Sequence, residues 1–317
     1  MSDTELVQRL LESAGIKPSH VLSDDVARLE VHGNHIVGAH LVPGLEADTE
    51  EREDGVEVHL RLKAGAKIER PVHLCFGMLP EKGSQRIILE LDVEEDASAH
   101  VLAHCTFPNA VKVEHRMDAR IRIAPGAQYS YYERHVHGPG GGVQVIPKAK
   151  VELGEGARFK TEFDLIKGRV GEMEIEYDAV CQARSVLEMV ARVSASGNDT
   201  VRIHEKAHLA GEEARAALTT NIALRDDARA DVFNTIIATA ARARGHVDCK
   251  EIVQDRAVAK AVPIVEVHEP SAHVTHEAAI GSVDSKQLQT LLSRGLNEEE
   301  ATDLIVAGLL SKKSRWT

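Results

Sequence analysis

Aromatic residues are scarce in this sequence, at 3% of 317 residues, and there are only four cysteines. The cysteines are widely separated, so they show neither the pattern of a disulfide framework nor that of a CxxC zinc site. The scarcity of aromatic residues argues against a sugar-binding groove, because such grooves stack sugar rings on aromatic side chains. No phosphate-binding GxxxxGKS or GxxxxGKT motif occurs, so any ATP hydrolysis must be supplied by a partner.

An excess of basic charge and long apolar runs are also lacking. The formal net charge is −12, and acids and bases are interspersed, which argues against nucleic acid as the main partner. The longest apolar run near the C-terminus is Leu304–Leu310, which is too short to cross a bilayer. The first residues, MSDTELVQRLL, lack the basic region and apolar run of a signal peptide. We therefore expect a cytoplasmic protein with neither nucleic acid nor membrane as a partner.

A turn signature recurs along the chain as a small residue that follows Gly or Asp and precedes alternating residues. Clear copies stand at Ala66, Ala97, Ala127 and Ala157, at intervals of about 30 residues. Weaker copies follow at Ala183, Ala214, Ala228 and Ala257. The intervening segments alternate with period two, as in residues 56–62. A fixed period of turn, strand, turn and strand predicts a stacked solenoid.

Two strands of about seven residues per period favour a flattened, right-handed parallel β-helix, so the fold class is predicted to be mainly β. We place this β-helix core at residues 55–281. Residues 1–54 are predicted to form a small N-terminal segment that contains a short amphipathic helix at 3–14. Residues 282–317 are predicted to form a C-terminal helical segment.

Cys249 and Glu277 are separated by nearly one period of the repeat. Stacked turns of a β-helix lie about 4.8 Å apart, so residues one period apart become neighbours. The spacing therefore predicts that Cys249 and Glu277 lie side by side, where a thiol and a carboxylate can bind a metal. The alternative is a cysteine that packs as a small hydrophobic residue and a glutamate that is merely on the surface.

Other potential ligands have weaker patterns. Cys75 and Cys105 are separated by one period of the repeat, so they are predicted to stack in adjacent turns, as core residues, a second metal site or a sulfur relay. His135 and His137 fall on one strand face before a glycine-rich loop, where a polar sheet face and a metal site are both open. Cys181 follows an alternating run and is predicted to be a core residue.

The C-terminal segment changes from alternating to helical periodicity. Asp284 and Asn297 each have the pattern of a helix N-cap followed by its reciprocal partner. They predict helices at about 285–294 and 298–311, which together form a helical hairpin. Such a hairpin at the end of a solenoid can shield the last turn. The run Leu304–Leu310 is apolar around most of its circumference, which suits burial on two sides.

Several separated motifs occur in the order found in the SufB/SufD family. They are RGHVDCKEIV at 244–253, AVPIVEVHEPSAHVTHEAAIGSVD at 261–284, SRGLNEEEATDLIVAGLL at 293–310 and AHCTFPNAV at 103–111. In these stretches the chain resembles the short archaeal-type members of that family, whose proteins are core components of the Suf iron–sulfur cluster assembly machinery. The resemblance covers roughly residues 70 to 312.

The resemblance implies a function and a site. The chain is expected to be a non-catalytic scaffold on which iron–sulfur clusters, expected to be of the 4Fe–4S type, are assembled before transfer to recipient apoproteins. Cys249 matches the cysteine of the scaffold-type members, and Glu277 matches their ligand glutamate. His276 matches the position at which the SufD partner contributes a histidine. Because all three occur in one chain, a homodimer joined through the end of the β-helix is expected to replace the SufB–SufD pair.

The resemblance also implies a protein partner. In the SufB/SufD family, the helices that correspond to residues 282–317 dock onto the ABC-type ATPase SufC. Leu304 and Ile305 are the expected contact residues. Two other classes of function stay open: a SufD-like adaptor that stabilises the assembly complex without holding a cluster, and a β-helix carbohydrate-active enzyme.

Strand geometry limits how the expected ligands can act together. Adjacent residues of a straight strand point to opposite faces. His276 and Glu277 can therefore bind the same cluster only if the strand bends there or if they come from different subunits. His246 and His273 are further candidates of lower rank.

Overall fold

The computed structural model describes residues 2–311, so the last six residues of the predicted segment 282–317 lie outside the described part of the chain. Strands account for 58% of the protein and wind into a β-solenoid of about eight turns. The prediction of a mainly β solenoid with a small N-terminal helix and C-terminal helices is confirmed.

Each turn contributes one strand to each of two sheets, and strands are numbered in chain order. Sheet A consists of β1 (Arg28–His32), β2 (His35–His40), β5 (Val72–Gly77), β7 (Ser98–Phe107), β9 (Gln128–His137), β11 (Arg158–Lys167), β13 (Val186–Ala195), β15 (Arg215–Leu224), β17 (Arg244–Val253) and β19 (His273–Gly281). Sheet B consists of β3 (Leu45–Arg52), β4 (Gly55–Leu62), β6 (Lys82–Val93), β8 (Lys112–Ile123), β10 (Val143–Leu153), β12 (Gly171–Cys181), β14 (Thr200–Leu209), β16 (Arg229–Ala238) and β18 (Val258–Val267).

Neighbouring turns pair in parallel, and the length of the step between them varies along the chain. Ala99 on β7 lies opposite Tyr129 on β9, 30 residues later in the chain (129 − 99 = 30). Val247 on β17 lies opposite His276 on β19, 29 residues later (276 − 247 = 29). Alternate residues of each strand face the space between the sheets, which holds one continuous apolar core. The period is therefore not constant, and this decides which residues become neighbours at the C-terminal end.

The alanine of each clear copy stands at a corner of the solenoid. At these four copies the residue before the alanine adopts the left-handed backbone conformation, with φ of 55° at Asp96 and 70° at Gly126. Ala97 and Ala127, which follow, are buried. At the weaker copy Ala183 the left-handed residue is Arg184, which follows the alanine. A left-handed residue lets the chain turn sharply, and a small side chain fits inside the corner. The turn signature read from the sequence thus marks real corners.

The N-terminal residues consist of a helix, a short 3-10 turn and strands that continue the two sheets. Helix α1 (Asp3–Ser13) begins at Ser2, which forms a capping box with Glu5, and a 3-10 turn follows at Pro18–His20. The strands within residues 28–52 extend the two sheets: β1 pairs with β5 in parallel, and β3 pairs with β4 antiparallel.

The C-terminal hairpin consists of α2 (Ser285–Leu292) and α3 (Glu298–Leu310). Asn297 and Glu300 form a full capping box. The Asp284 side chain accepts a hydrogen bond of 2.7 Å from the backbone N–H of Gln287. Both helices therefore begin where their caps predicted. No helix within residues 2–311 is long and apolar enough to span a membrane.

Candidate metal centre at the C-terminal end of the solenoid

Cys249 lies in the interior of the solenoid, on β17, one strand before the end of sheet A. Its side chain is fully buried. The amide nitrogen of Asn234, on β16 of the opposite sheet, lies 3.6 Å from the sulfur and donates a 2.8 Å hydrogen bond to the Thr220 hydroxyl. The Asn234 oxygen has no partner within the described residues. The thiol thus belongs to a polar group inside the core.

Two carboxyl groups face the same interior. Glu251 follows Cys249 at the next inward position of β17, and Glu205 stands on β14. Burial, reinforced by Asp248, raises the pKa of Glu251 to about 7, and burial raises the pKa of Glu205 to about 8. Burial also raises the pKa of Cys249 to about 12, with further increases from Glu251 and Glu205.

These shifts come mainly from burial. Neither oxygen of Glu251 has a hydrogen-bond partner within the described residues, and the same holds for one oxygen of Glu205. Each group would be more acidic beside a cation, because a positive charge favours the thiolate and the carboxylate. The interior at Cys249 therefore holds a thiol and two carboxyl groups that are poorly satisfied by hydrogen bonds.

The three ligands predicted from the sequence fall on two faces of sheet A. Cys249 lies opposite Ala278 of β19, whereas Glu277 lies opposite Asp248. His276 lies opposite the buried Val247 and is therefore on the inward face, as Cys249 is. Glu277 is on the outward face, and both His276 and Glu277 are exposed because β19 is the last strand of its sheet.

The predicted side-by-side placement of Cys249 and Glu277 is thus wrong by one residue within a single chain. Strands β17 and β19 pair residues that are 29 positions apart in the sequence (276 − 247 = 29), whereas Cys249 and Glu277 are 28 positions apart (277 − 249 = 28). A difference of one residue moves a side chain to the other face of its strand. The two lower-ranked histidines are also on the outward face. The His246 ring nitrogen lies 2.8 Å from the Thr275 hydroxyl, and His273 lies opposite Arg244.

Further toward the N-terminus, the structure changes the assignment of two other groups. Cys75 and Cys105 do not stack: Cys105 lies opposite Phe76, and Cys75 packs outside the solenoid beneath α1. His135 and His137 do not form a polar sheet face, because both are buried in the interior. Cys181 is a core residue, as predicted.

The sequence analysis missed Glu205, Glu251 and Asn234. The alternation of the strands could have identified them, because each stands at an inward position. Glu251, for example, continues the inward series of Val247 and Cys249 on β17. Polar residues in such a series face the core once the strand forms. Alternation therefore predicts the direction of these side chains, although it does not predict which of them meet.

The C-terminal hairpin borders the same end of the solenoid. Val306 and Leu310 of α3 pack against Ala223 and Ile252. Between the two helices and the end of sheet A lies an open cleft of about 1040 Å³. The residues that line it on the helices include Leu291, Leu304 and Ile305. Leu304, predicted to be a contact residue, is 52% exposed, so it is free to meet a partner.

The fold and the site thus define a β-solenoid protein with a buried thiol near one end and a helical hairpin beside it. Residues 82–309 match the family model "SUF system FeS cluster assembly, SufBD core domain", and the chain belongs to this SufBD family. Its function therefore lies in iron–sulfur cluster assembly.

Curated relatives agree with this assignment. The chain is 35% identical to the iron–sulfur cluster assembly SufBD family protein of Methanocaldococcus jannaschii, over 98% of this chain and 99% of that protein. It is 34% identical to a SufBD family protein of Pyrococcus horikoshii, over 98% and 95% of the two chains. Identity to the iron–sulfur cluster assembly protein SufB of Bacillus subtilis is 24%, over 78% of this chain and 53% of that protein.

Proposed function

We propose that this protein is the scaffold on which an iron–sulfur cluster is built and from which the cluster passes to recipient apoproteins. The observation that carries the proposal is the position of Cys249, a buried thiol among unpaired polar groups one turn from the open end of the solenoid. Thiolates are the usual ligands of iron–sulfur clusters. The cluster is cargo, and the chain itself would catalyse no reaction.

The proposed ligands are Cys249, His276 and Glu277, and the proposed cargo is a 4Fe–4S cluster. Cys249 and His276 share the inward face of adjacent strands, so both can reach the same space at the end of the solenoid. Glu277 is on the outward face of β19, where it can meet a second copy of the chain. Imidazole and carboxylate bind iron through harder atoms than sulfur, which suits a cluster that must later be released.

We propose that two copies pair through the end of the solenoid that carries β18 and β19. These strands are the last of their sheets, and an unpaired strand edge is a template for pairing with another chain. Apolar side chains are exposed there, with Ile264 at 37% and Ile280 at 48%.

Light scattering at micromolar concentration should give twice the chain mass, and Ile264→Lys should shift the protein toward monomer. A wild-type protein that stays monomeric, alone and with its ATPase, would contradict the pairing.

We also propose that an ABC-type ATPase of the SufC kind binds the C-terminal hairpin. Leu304, Ile305 and Leu291 offer it an apolar cleft. ATP-driven closure of two bound ATPase subunits would pull on both hairpins of a dimer and open the site between them. The cytoplasm is the proposed location, and the four free thiols are in keeping with a reducing compartment, where disulfides are rare.

The scaffold role predicts an order of events in a transfer experiment. The chain is reconstituted anaerobically with iron and sulfide, desalted, and mixed with an apoprotein that requires a 4Fe–4S cluster. We expect the visible absorption of the cluster to appear first on this chain and then to leave it as the acceptor gains activity. An adaptor that holds no cluster would show no absorption before mixing and would not accelerate acceptor activation. That result would reject the scaffold role.

A further inference from the structure

A second group of ligand-type side chains lies deep in the solenoid, away from Cys249. It consists of Cys105 on β7, His115 on β8, and Glu133 and His135 on β9. Each is 2% exposed or less. One ligand atom from each residue can be chosen so that all four lie within 4.8 Å of one another. Four strand spacings separate β9 from β17 in sheet A, which places this cluster about 19 Å from the strand of Cys249.

The fold holds these four residues from two opposite sheets. Cys105 lies directly opposite His135 in neighbouring turns of sheet A, and both face inward. Glu133 precedes His135 by two residues and therefore shares its face. His115 approaches from sheet B. Rigid paired strands rather than loops thus position all four donors.

The polar atoms of the cluster are poorly satisfied by one another. One oxygen of Glu133 lies 2.7 Å from Nε2 of His135 and 3.6 Å from the Cys105 sulfur. The other Glu133 oxygen and Nδ1 of His115 have no hydrogen-bond partner of good geometry within the described residues, and the same holds for the Tyr131 hydroxyl, which lies beside Glu133. Buried polar atoms without partners are costly, and such an atom in a native protein calls for an explanation such as a bound ion.

A chain of hydrogen bonds fixes the tautomer of His135. The carbonyl oxygen of Arg169 can only accept, so Nδ1 of His137, at 3.2 Å, must donate to it. Nε2 of a neutral His137 then accepts from Nδ1 of His135, at 3.1 Å. Nε2 of His135 is left with a lone pair, and it faces an oxygen of Glu133. A protonated Glu133 would donate its hydroxyl to this nitrogen, whereas an ionised Glu133 presents a second acceptor, and a cation bound by both groups would satisfy the two of them. Such an outer hydrogen bond on the far ring nitrogen is the usual support of a metal-bound histidine.

The charges and surroundings also suit a cation. A divalent ion bound by one thiolate, one carboxylate and two neutral imidazoles forms a site of zero net charge, which the interior can hold without another counter-ion. The Phe163 ring centre lies 4.7 Å from that of His135, and the Phe107 ring centre lies 5.0 Å from that of His115. These rings close the site to water and hold the imidazoles in place.

We propose that Cys105, His115, Glu133 and His135 form a closed four-ligand site for a divalent transition-metal ion of the zinc or iron(II) class. Closed zinc sites have four protein ligands, and cysteine, histidine and glutamate are each zinc ligands; the same sulfur, nitrogen and oxygen donors bind iron(II). The ion would join the two sheets in the N-terminal half of the solenoid, where it is held permanently. It is separate from the cluster that is assembled at the far end.

The test uses the full chain in a Cys249→Ser background, so that any metal–thiolate signal comes from another cysteine. The protein is unfolded with chelator, refolded with zinc, cobalt(II) or magnesium, desalted, and analysed for metal. We expect about one zinc per chain, no retained magnesium, and a cobalt–thiolate absorption band in the near ultraviolet. A buried site should release zinc to chelator only when the protein unfolds.

Near-isosteric variants assign the ligands. Cys105→Ser should abolish the cobalt–thiolate band and lower retained zinc at least tenfold, and Glu133→Gln should lower retained zinc by a similar factor. Cys181→Ser, which removes a buried thiol elsewhere in the core, is the matched control and should keep the ion. Far-ultraviolet circular dichroism checks that each variant folds. Refolded protein without zinc, or equal zinc in Cys105→Ser and Cys181→Ser, would overturn the proposal.

Discussion

Cys249→Ser is expected to lose at least nine-tenths of the iron and sulfide that the wild-type protein retains after anaerobic reconstitution. Serine preserves the size of the side chain and its contact with Asn234, so the solenoid should remain folded. It removes the one soft ligand at this end of the interior, and a hydroxyl is a poor ligand for an iron–sulfur cluster. Iron and acid-labile sulfide are measured after desalting, and the cluster type is read by Mössbauer spectroscopy.

The matched control for this variant is Cys181→Ser. Cys181 is also a buried thiol in the same core, but it lies on β12, three turns before the end. It should leave the cluster content unchanged, which separates loss of a ligand from general loosening of the core. A Cys249→Ser protein with full iron content and an unchanged spectrum would show that the cluster is held elsewhere.

Leu304→Asp is expected to weaken binding of the ATPase at least a hundredfold, which corresponds to roughly 3 kcal/mol. Leu304 is 52% exposed on the cleft of the hairpin, so a charge there costs the isolated chain little. In a complex, the same carboxylate would be buried against apolar surface without a partner. Calorimetric titration of the purified ATPase into each variant gives the dissociation constant.

Two further variants separate docking from folding. Leu292→Asp places the same charge at a leucine that is 38% exposed on α2 but does not line the cleft, and it should leave binding within a few-fold of wild type. Val306→Asp places a charge on the buried face of α3 that packs on Ala223, so it should lower the melting temperature of the protein. If Leu304→Asp also lowers the melting temperature and Leu292→Asp weakens binding equally, the hairpin is only a cap of the solenoid.

Features that depend on a few neighbouring residues could be predicted from the sequence. The turn before Ala127 needs a left-handed residue and a small one, and both are visible in the letters. The caps at Asp284 and Asn297 set the start of each C-terminal helix through hydrogen bonds that reach three residues. Repetition of such local signals was enough to predict a solenoid and its terminal hairpin.

Features that depend on the length of a whole turn could not be predicted in this way. Cys249 meets Ala278 rather than Glu277 because the last turn is one residue longer than the separation of that predicted pair. The same turn is one residue shorter than the earlier one that joins β7 to β9. A difference of one residue exchanges the inward and outward faces of a strand, so an average period cannot assign neighbours. Cys75 and Cys105 do not pair for the same reason: they are 30 residues apart (105 − 75 = 30), whereas β5 and β7 pair residues that are 29 apart (104 − 75 = 29).

The sequence by itself determined the fold class, the corners of the solenoid and the two C-terminal helices. Its motifs indicated Cys249 as the soft ligand. Only the tertiary structure placed His135 beside Cys105, Glu133 and His115, and Glu251 and Glu205 in the interior with Cys249. The physical reason is that turns and caps form through contacts a few residues long, whereas these groups meet across sheets and turns. Which side chains meet there depends on every turn length between them, and polar residues far apart in the chain become neighbours only when the whole solenoid is wound.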